Sequence, residues 1–248
     1  MGLLKVIRKL FLYLIFGAGS LVIGLVILPL ERLLIHPVER FRRAGRVTIT
    51  YSHRLFVFLT SILGLLRIDH SKLDVSDLEG KIVAPNHPSL LDVVILFSLI
   101  PGANCIVRGG LVKSVVGFIV RALYIPNDGD FEELKRRCCK SLESGDTLII
   151  FPEGTRTRSD GVISLKRGTA HIALSSGADI VPVHIAGNDK RGLRKRDRIW
   201  WLNEDGYYSY RIFSDERVLH MDLYRNGSER ENAIRLTGDL ESILRERI

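Results

Sequence analysis

Two short stretches carry residue types that can do chemistry together: Asn86-His87-Pro88-Ser89-Leu90-Leu91-Asp92 and Phe151-Pro152-Glu153-Gly154-Thr155-Arg156-Thr157-Arg158. In the first, a histidine precedes a carboxylate by five positions. A neutral imidazole can take a proton from a hydroxyl, and a carboxylate on its other nitrogen fixes the tautomer and stabilises the imidazolium that forms. In the second, Gly154 allows a tight turn, Thr155 offers a hydroxyl, and Arg156 carries a guanidinium fork that matches phosphate oxygens. Glu153 would repel a phosphate unless it pairs with Arg156 or binds an acceptor hydroxyl, so its expected role is positioning. A base, its orienting acid and a cationic pocket suit proton removal from a hydroxyl on a phosphate-bearing substrate.

Other readings of the same residues stay open. Ser89 followed three residues later by Asp92, ahead of an apolar run, has the spacing of a helix capping box. No serine or cysteine stands in a recognisable nucleophile setting, and there is no Gly-x-Ser-x-Gly elbow, Walker A loop or Gly-x-Gly-x-x-Gly opening a helix. The nucleophile would then belong to the substrate, with backbone amides around Ser89 and Leu90 as candidate oxyanion donors.

The elements that must position these residues can be read from apolar periodicity. Strands are expected at 82–84, 105–107, 124–126, 147–151 and 180–185, and helices at 91–100, 111–123, 131–142 and 169–176, the last stopped by Gly177. This alternation predicts an α/β fold with a mixed, mostly parallel sheet flanked by helices. Both motifs then leave strand ends on one edge, where such sheets bind ligands. Arg108 and Lys113 follow the second strand and by chain order reach the same edge. Residues 208–213 alternate like an edge strand, and a last helix starts at Ser228 with Glu231 as capping partner.

In this order and strand context, the two stretches resemble the glycerolipid acyltransferase family typified by 1-acylglycerol-3-phosphate acyltransferases. His87 and Asp92 fit its histidine, four residues, aspartate signature, and residues 151–156 fit its phosphate-binding block. The resemblance covers about residues 80–187. It implies transfer of a fatty acyl group from a thioester, acyl-CoA or acyl carrier protein, to a hydroxyl of a lysophosphatidic-acid-like acceptor in phospholipid biosynthesis, with no cofactor and no metal. His87 and Asp92 would be catalytic; Glu153, Gly154, Thr155, Arg156, Arg108 and Lys113 would bind substrate. The family often follows its basic residues here with a proline-glycine pair, whereas this chain has Gly109-Gly110 and then Val115-Val116-Gly117. The same chemistry on another lysolipid or a specialised polyene intermediate is one rival; a non-catalytic membrane-associated binding protein is the other.

The chain has 248 residues, 46% hydrophobic and 26% charged, with a formal charge of +8 and a pI near 9.6. That balance implies an anionic partner. Residues 10–30 carry no charge and suffice for a bilayer-crossing or monotopic helix, which favours a membrane phospholipid surface over nucleic acid. Lys5, Arg8 and Lys9 precede this segment and Arg32, Arg40, Arg42, Arg43 and Arg46 follow it, which points to a cytoplasmic catalytic domain. The expected division is a membrane anchor with a basic juxtamembrane segment at 1–47 and an acyltransferase domain at 48–248. Within 37–67, apolar residues from Leu55 to Leu66 recur at helical spacing, in an interfacial or core-packing helix. Residues 190–198 hold six cations in nine positions, followed by Trp200-Trp201, a surface run or a headgroup or carrier-protein patch. Three cysteines, two of them adjacent, form no disulfide framework or zinc spacing.

Overall fold

A computed structural model describes residues 3–246 except 114–116, 159–160 and 199. A continuous helical run opens the chain: α1 (Leu3–Val22), a π-helical turn (Ile23–Ile27) and α2 (Leu28–Leu34). By length and composition Lys5–Leu34 could cross a bilayer. One side of this run packs on the rest of the protein. Lys9, Leu12 and Leu28 are buried, and Gly24 lies so close to Phe118 that an added Cβ would sit 1.8 Å from the ring. The opposite side exposes Phe11, Leu14, Leu25 and Leu33.

The next helix, α3 (Val38–Ile62), runs through position 47/48. Arg46 locks it to the domain: the side chain is 3% exposed and donates to the Gly102 carbonyl at 2.9 Å and the Asp146 carboxylate at 2.6 Å. α3 also shows an apolar outer face at Tyr51, Leu55, Phe58 and Ile62, so the core-packing and surface readings describe two sides of one helix. It stops at Ile62, and Gly64 turns the chain at a φ of +67°. Leu66, expected as helical, instead begins strand β1 (Leu66–Lys72).

The remaining strands are β2 (Ile82–Pro85), β3 (Asn104–Arg108), β4 (Ile125–Asn127), β5 (Leu148–Ile149), β6 (Ile180–Ala186) and β7 (Tyr208–Ser214). They form a sheet in the order β1-β7-β6-β2-β5-β3-β4. Every pairing is parallel except β6 with β7, which matches the mixed, mostly parallel sheet expected from the sequence. One correction concerns β7, which is an interior strand between β1 and β6. Its pattern, buried Tyr208, Tyr210 and Ile212 alternating with exposed Arg211, comes from having one covered face, and the unrecognised β1 takes the edge.

Helices α4 (Asp92–Leu99), α5 (Gly117–Leu123), α6 (Phe131–Glu143), α7 (Gly168–Ser176) and α8 (Glu229–Glu246) complete the layers. Val83, Ile149 and Val181 face α3, α4 and α5, while Ile82, Leu148 and Ile180 face α6, α7 and α8. Adjacent strand residues bury on opposite faces, as a sheet covered on both sides requires. Gly177 ends α7 at a φ of +71°, and Ser228 and Glu231 exchange the two bonds of a capping box at the start of α8. The helix expected at 111–123 is a 3-10 turn (Gly109–Lys113) followed by α5. Val115 and Val116, part of the departure from the family pattern, lie outside the described residues.

Candidate active site

Because β2, β5 and β6 are parallel neighbours, the loops that leave their carboxyl ends meet on one edge of the sheet. These loops are residues 86–91, 150–158 and 187–203. Asn86 starts the first. It is 1% exposed and continues the sheet with its side chain, donating to the Ile185 carbonyl at 2.9 Å and accepting from the Ile185 amide at 2.7 Å. That lock fixes the point from which His87 leaves the sheet.

His87 Nδ1 lies 2.8 Å from Asp92 Oδ2. The imidazole stacks on Phe151, with centroids 4.0 Å apart and planes at 30°. His87 is 16% exposed and Asp92 is sealed at 0%. A carboxylate acceptor at Nδ1 holds the proton there and leaves the Nε2 lone pair facing outward. Among the described residues Nε2 has no hydrogen-bond partner.

Asp92 does two jobs with one carboxylate. Oδ2 also accepts from the Ser89 amide at 2.7 Å, and Oδ1 accepts from Ser89 Oγ at 2.5 Å. Ser89 Oγ in turn accepts from the Leu91 amide at 3.2 Å. The capping and orienting readings therefore describe the same group. This geometry corrects the expected oxyanion donors: the Ser89 amide is spent on Asp92, and the Leu90 amide on the Leu193 carbonyl at 3.0 Å.

The second stretch clamps the first. Glu153 Oε1 accepts from the His87 amide at 3.0 Å and from Thr157 Oγ1 at 2.7 Å, and the Thr157 amide donates to the His87 carbonyl at 2.7 Å. Glu153 thus turns inward to the backbone of His87, and among the described residues it does not pair with Arg156. Burial raises its carboxyl pKa, an effect offset in part by the Thr157 and His87 donors.

Arg156 donates to the Leu193 carbonyl at 2.9 Å, and Lys195 reaches Thr155 Oγ1 at 3.0 Å. Gly154 turns at a φ of +65°, and a Cβ there would meet the Lys166 side chain at 3.1 Å. Arg156, Lys195 and Lys166 therefore surround the Gly154-Thr155 turn. Lys195 belongs to the charge run already visible at 190–198; Lys166 gave no sequence signal. Arg108 and Lys113 are exposed at the end of β3 and the turn after it. Among the described residues neither bonds to His87, Asp92, Glu153 or Arg156.

The 187–203 loop is also tied to the N-terminal helix. Lys9, 5% exposed, donates to the carbonyls of Gly192 at 3.0 Å and Trp201 at 2.5 Å and to the Tyr208 hydroxyl at 3.1 Å. Arg191 and Arg198 stack near Trp201, with Trp200 beside Arg198. The cysteines lie apart from this edge, and burial pushes the Cys105 and Cys138 thiols up to about 12, far from thiolate reactivity.

The family model described as Acyltransferase matches residues 67–186, an interval that holds both motifs. A chloroplastic 1-acyl-sn-glycerol-3-phosphate acyltransferase of Arabidopsis thaliana is 29% identical over 111 residues, 42% of this chain and 31% of that protein. A 1-acyl-sn-glycerol-3-phosphate acyltransferase of Neisseria gonorrhoeae is 26% identical over 120 residues, 46% of this chain and 47% of the relative. The chain thus spans between about a third and a half of the length of these curated relatives. The crystal structure of the 1-acyl-sn-glycerophosphate acyltransferase PlsC from Thermotoga maritima superimposes with a TM-score of 0.69 at 21% identity, covering 96% of this chain and 95% of the other. The two chains share their fold. The histidine-aspartate and Glu-Gly-Thr-Arg motifs are brought to one sheet edge inside the matched interval, and over that interval the chain is similar to the glycerolipid acyltransferases.

Proposed function

We propose that the protein transfers a fatty acyl group from a thioester, acyl-CoA or acyl carrier protein, to a hydroxyl of a lysophosphatidic-acid-like acceptor. The observation that carries this reading is the 2.8 Å His87–Asp92 pair, with Nε2 open at a sheet edge beside three cations. The relatives' names point to the same acceptor. His87 Nε2 takes the acceptor's hydroxyl proton as the oxygen attacks the thioester carbonyl; the carbon–sulfur bond then breaks, and the imidazolium returns the proton to the departing thiolate. The ester oxygen comes from the acceptor and the thiol leaves with the carrier. No protein nucleophile, cofactor or metal takes part in this scheme.

Two-substrate kinetics test it. Direct transfer gives intersecting initial-rate lines and no acylated protein when donor is supplied alone; parallel lines with an acyl mass on the protein would contradict it. The acceptor's phosphate is assigned to Arg156 with Lys195 and Lys166. A charged hydrogen bond to a partly desolvated phosphate contributes roughly 1.5 to 3 kcal/mol, so Arg156→Ala should raise the acceptor's KM about ten- to a hundred-fold. Lysine at 156 should rescue part of this, since it keeps the charge and loses the fork. A rise in the donor's KM alone would assign these cations to the thioester carrier's phosphates.

The protein is proposed to sit on a membrane in monotopic fashion, with its catalytic domain in the cytoplasm. The support is the two-sided character of α1 and α2: Lys9, Gly24 and Leu28 dock on the domain along the helix, while Phe11, Leu14 and Leu25 point outward. A helix held along its length by a domain lies in the interface with that domain. Lys9 and Arg46, counted above in the charge balance, are buried in protein contacts and say little about topology. Substituting Phe11, Leu14 and Leu25 together with glutamine should release the protein from vesicles without lowering its melting temperature, because these side chains are 52%, 68% and 64% exposed. Retention of the triple variant on the vesicles at wild-type level would contradict the monotopic reading.

A further inference from the structure

Behind Asp92 lies a buried hydrogen-bonded chain that leaves the family-matched interval. Ser89 Oγ, which donates to Asp92 Oδ1 at 2.5 Å, is 2.7 Å from the hydroxyl of Tyr210 on β7. Since the Ser89 proton is committed to the carboxylate, the Tyr210 hydroxyl is the donor in that contact. Tyr210 is 2% exposed, and Ser89 and Asp92 are at 0%. Its ring is backed by Lys190, whose ammonium lies 4.3 Å from the ring centroid and donates to the Asn188 carbonyl at 2.6 Å and the Ser209 carbonyl at 2.7 Å. Lys190 is 5% exposed. Burial pulls its pKa down to about 8, and Asp92 is the charge that most opposes this.

We infer that Tyr210 is a positioning residue for the acyl transfer, acting through Ser89 to set the orientation and charge density of Asp92 and so the basicity of His87. This rests on the proposed reaction. The groups facing Asp92 are His87 and Ser89 from its own loop, Tyr210 from β7 and Lys190 from the loop after β6, with Glu153 at the His87 amide. In a buried network a donor polarises the next one, so a hydroxyl donating to Ser89 strengthens the bond from Ser89 to the carboxylate. The carboxylate is then less basic and holds the imidazolium proton less tightly. Burial drives the Tyr210 pKa upward, so the phenol keeps its proton at working pH. Both Tyr210 and Lys190 lie outside residues 67–186, so this support comes from parts of the chain beyond the matched domain.

The sign of the effect follows. Without the Tyr210 hydroxyl, Ser89 donates less strongly, Asp92 keeps more negative charge, and the imidazolium becomes harder to deprotonate. The acidic limb of the pH–kcat profile should move to higher pH. For Tyr210→Phe, a shift of about 0.3 to 1 pH unit is expected, equivalent to about a two- to ten-fold fall in kcat on the acidic limb, with both KM values within twofold, because the hydroxyl touches no substrate. Ser89→Ala should shift the limb further in the same direction. The double variant should match Ser89→Ala, since Tyr210 acts only through that hydroxyl; coupling of this kind is the mark of residues in one network.

The experiment is a pH profile of kcat and KM for purified full-length wild type, Tyr210→Phe, Ser89→Ala and the double variant, with melting temperatures. Absence of turnover in the wild type would overturn the proposed reaction itself, separately from this inference. An active wild type with a shifted limb in Tyr210→Phe and a non-additive double variant supports the positioning role. A lower melting temperature with an unmoved limb and unchanged kcat, or additive shifts in the double variant, would overturn it by showing that Tyr210 serves only the core.

Discussion

His87→Ala is expected to lower kcat by about a thousandfold or more while leaving both KM values near those of the wild type. General-base catalysis contributes typically 10²- to 10⁴-fold, and among the described residues the loops 86–91, 150–158 and 187–203 hold no other histidine to substitute. His171, His184 and His220 pair with Glu229, Asp215 and Asp179 elsewhere in the structure, and His53 bonds to the Ile49 carbonyl within α3. The fold should survive the change. The contacts that place residue 87, its amide on Glu153 and its carbonyl on Thr157, belong to the backbone and remain in the alanine variant. What is lost is the Asp92 bond and the stack on Phe151, and for a partly exposed ring that costs roughly 1 to 2 kcal/mol. Turnover within tenfold of wild type, in a preparation free of contaminating enzyme, would remove His87 from the mechanism.

Asp92→Asn should be nearly as damaging to rate and more damaging to stability. The carboxylate accepts three hydrogen bonds, from His87 Nδ1, the Ser89 amide and Ser89 Oγ. An asparagine has one oxygen and an NH2 group, so it cannot accept from all three. If its nitrogen faces His87, the ring must present a lone pair at Nδ1, which puts the proton on Nε2 and blocks the base. If its nitrogen faces Ser89, the serine hydroxyl must reverse, and the imidazolium still lacks its counter-charge. We expect a loss in kcat of about 10² to 10⁴ by the logic of triads, with a stability cost of about 1 to 3 kcal/mol for a mispaired buried donor. Rates taken well below the variant's melting temperature separate the two effects. A lower melting temperature with normal turnover would leave Asp92 as a helix cap alone.

The strands and helices around the site were legible because each is covered on both sides, so apolar runs such as Thr147 to Phe151 stand out and their ends mark the motifs. The site's first contacts were legible for a related reason: His87 and Asp92 are close in sequence, so their meeting needs only a turn. The features with no local sequence signal depend on partners distant in the chain. Glu153 turned to the His87 backbone because the turn at Gly154 brings the two loops together, a fold-level event. Tyr210 reads as one face of an alternating strand, and nothing local connects it to Ser89, 121 positions away. Lys166 is an isolated cation in the sequence and becomes part of a cluster only through that turn. The sequence pattern merges strand β1 with the helix before it because Leu63 and Leu66 extend the apolar stripe of α3; the conformation of Gly64, and not the hydrophobic pattern, decides the boundary.

Full-length protein purified in detergent, incubated with matched lysolipids that carry or lack a terminal phosphate and with acyl-CoA and acyl carrier protein donors in turn, addresses the proposed chemistry most directly when products are identified by mass. The expected result is a single new ester on the free hydroxyl of the phosphate-bearing lysolipid, equimolar free thiol from the donor, and no product with His87→Ala. Equal or faster acylation of the phosphate-free acceptor, or product formation undiminished in His87→Ala, would contradict it.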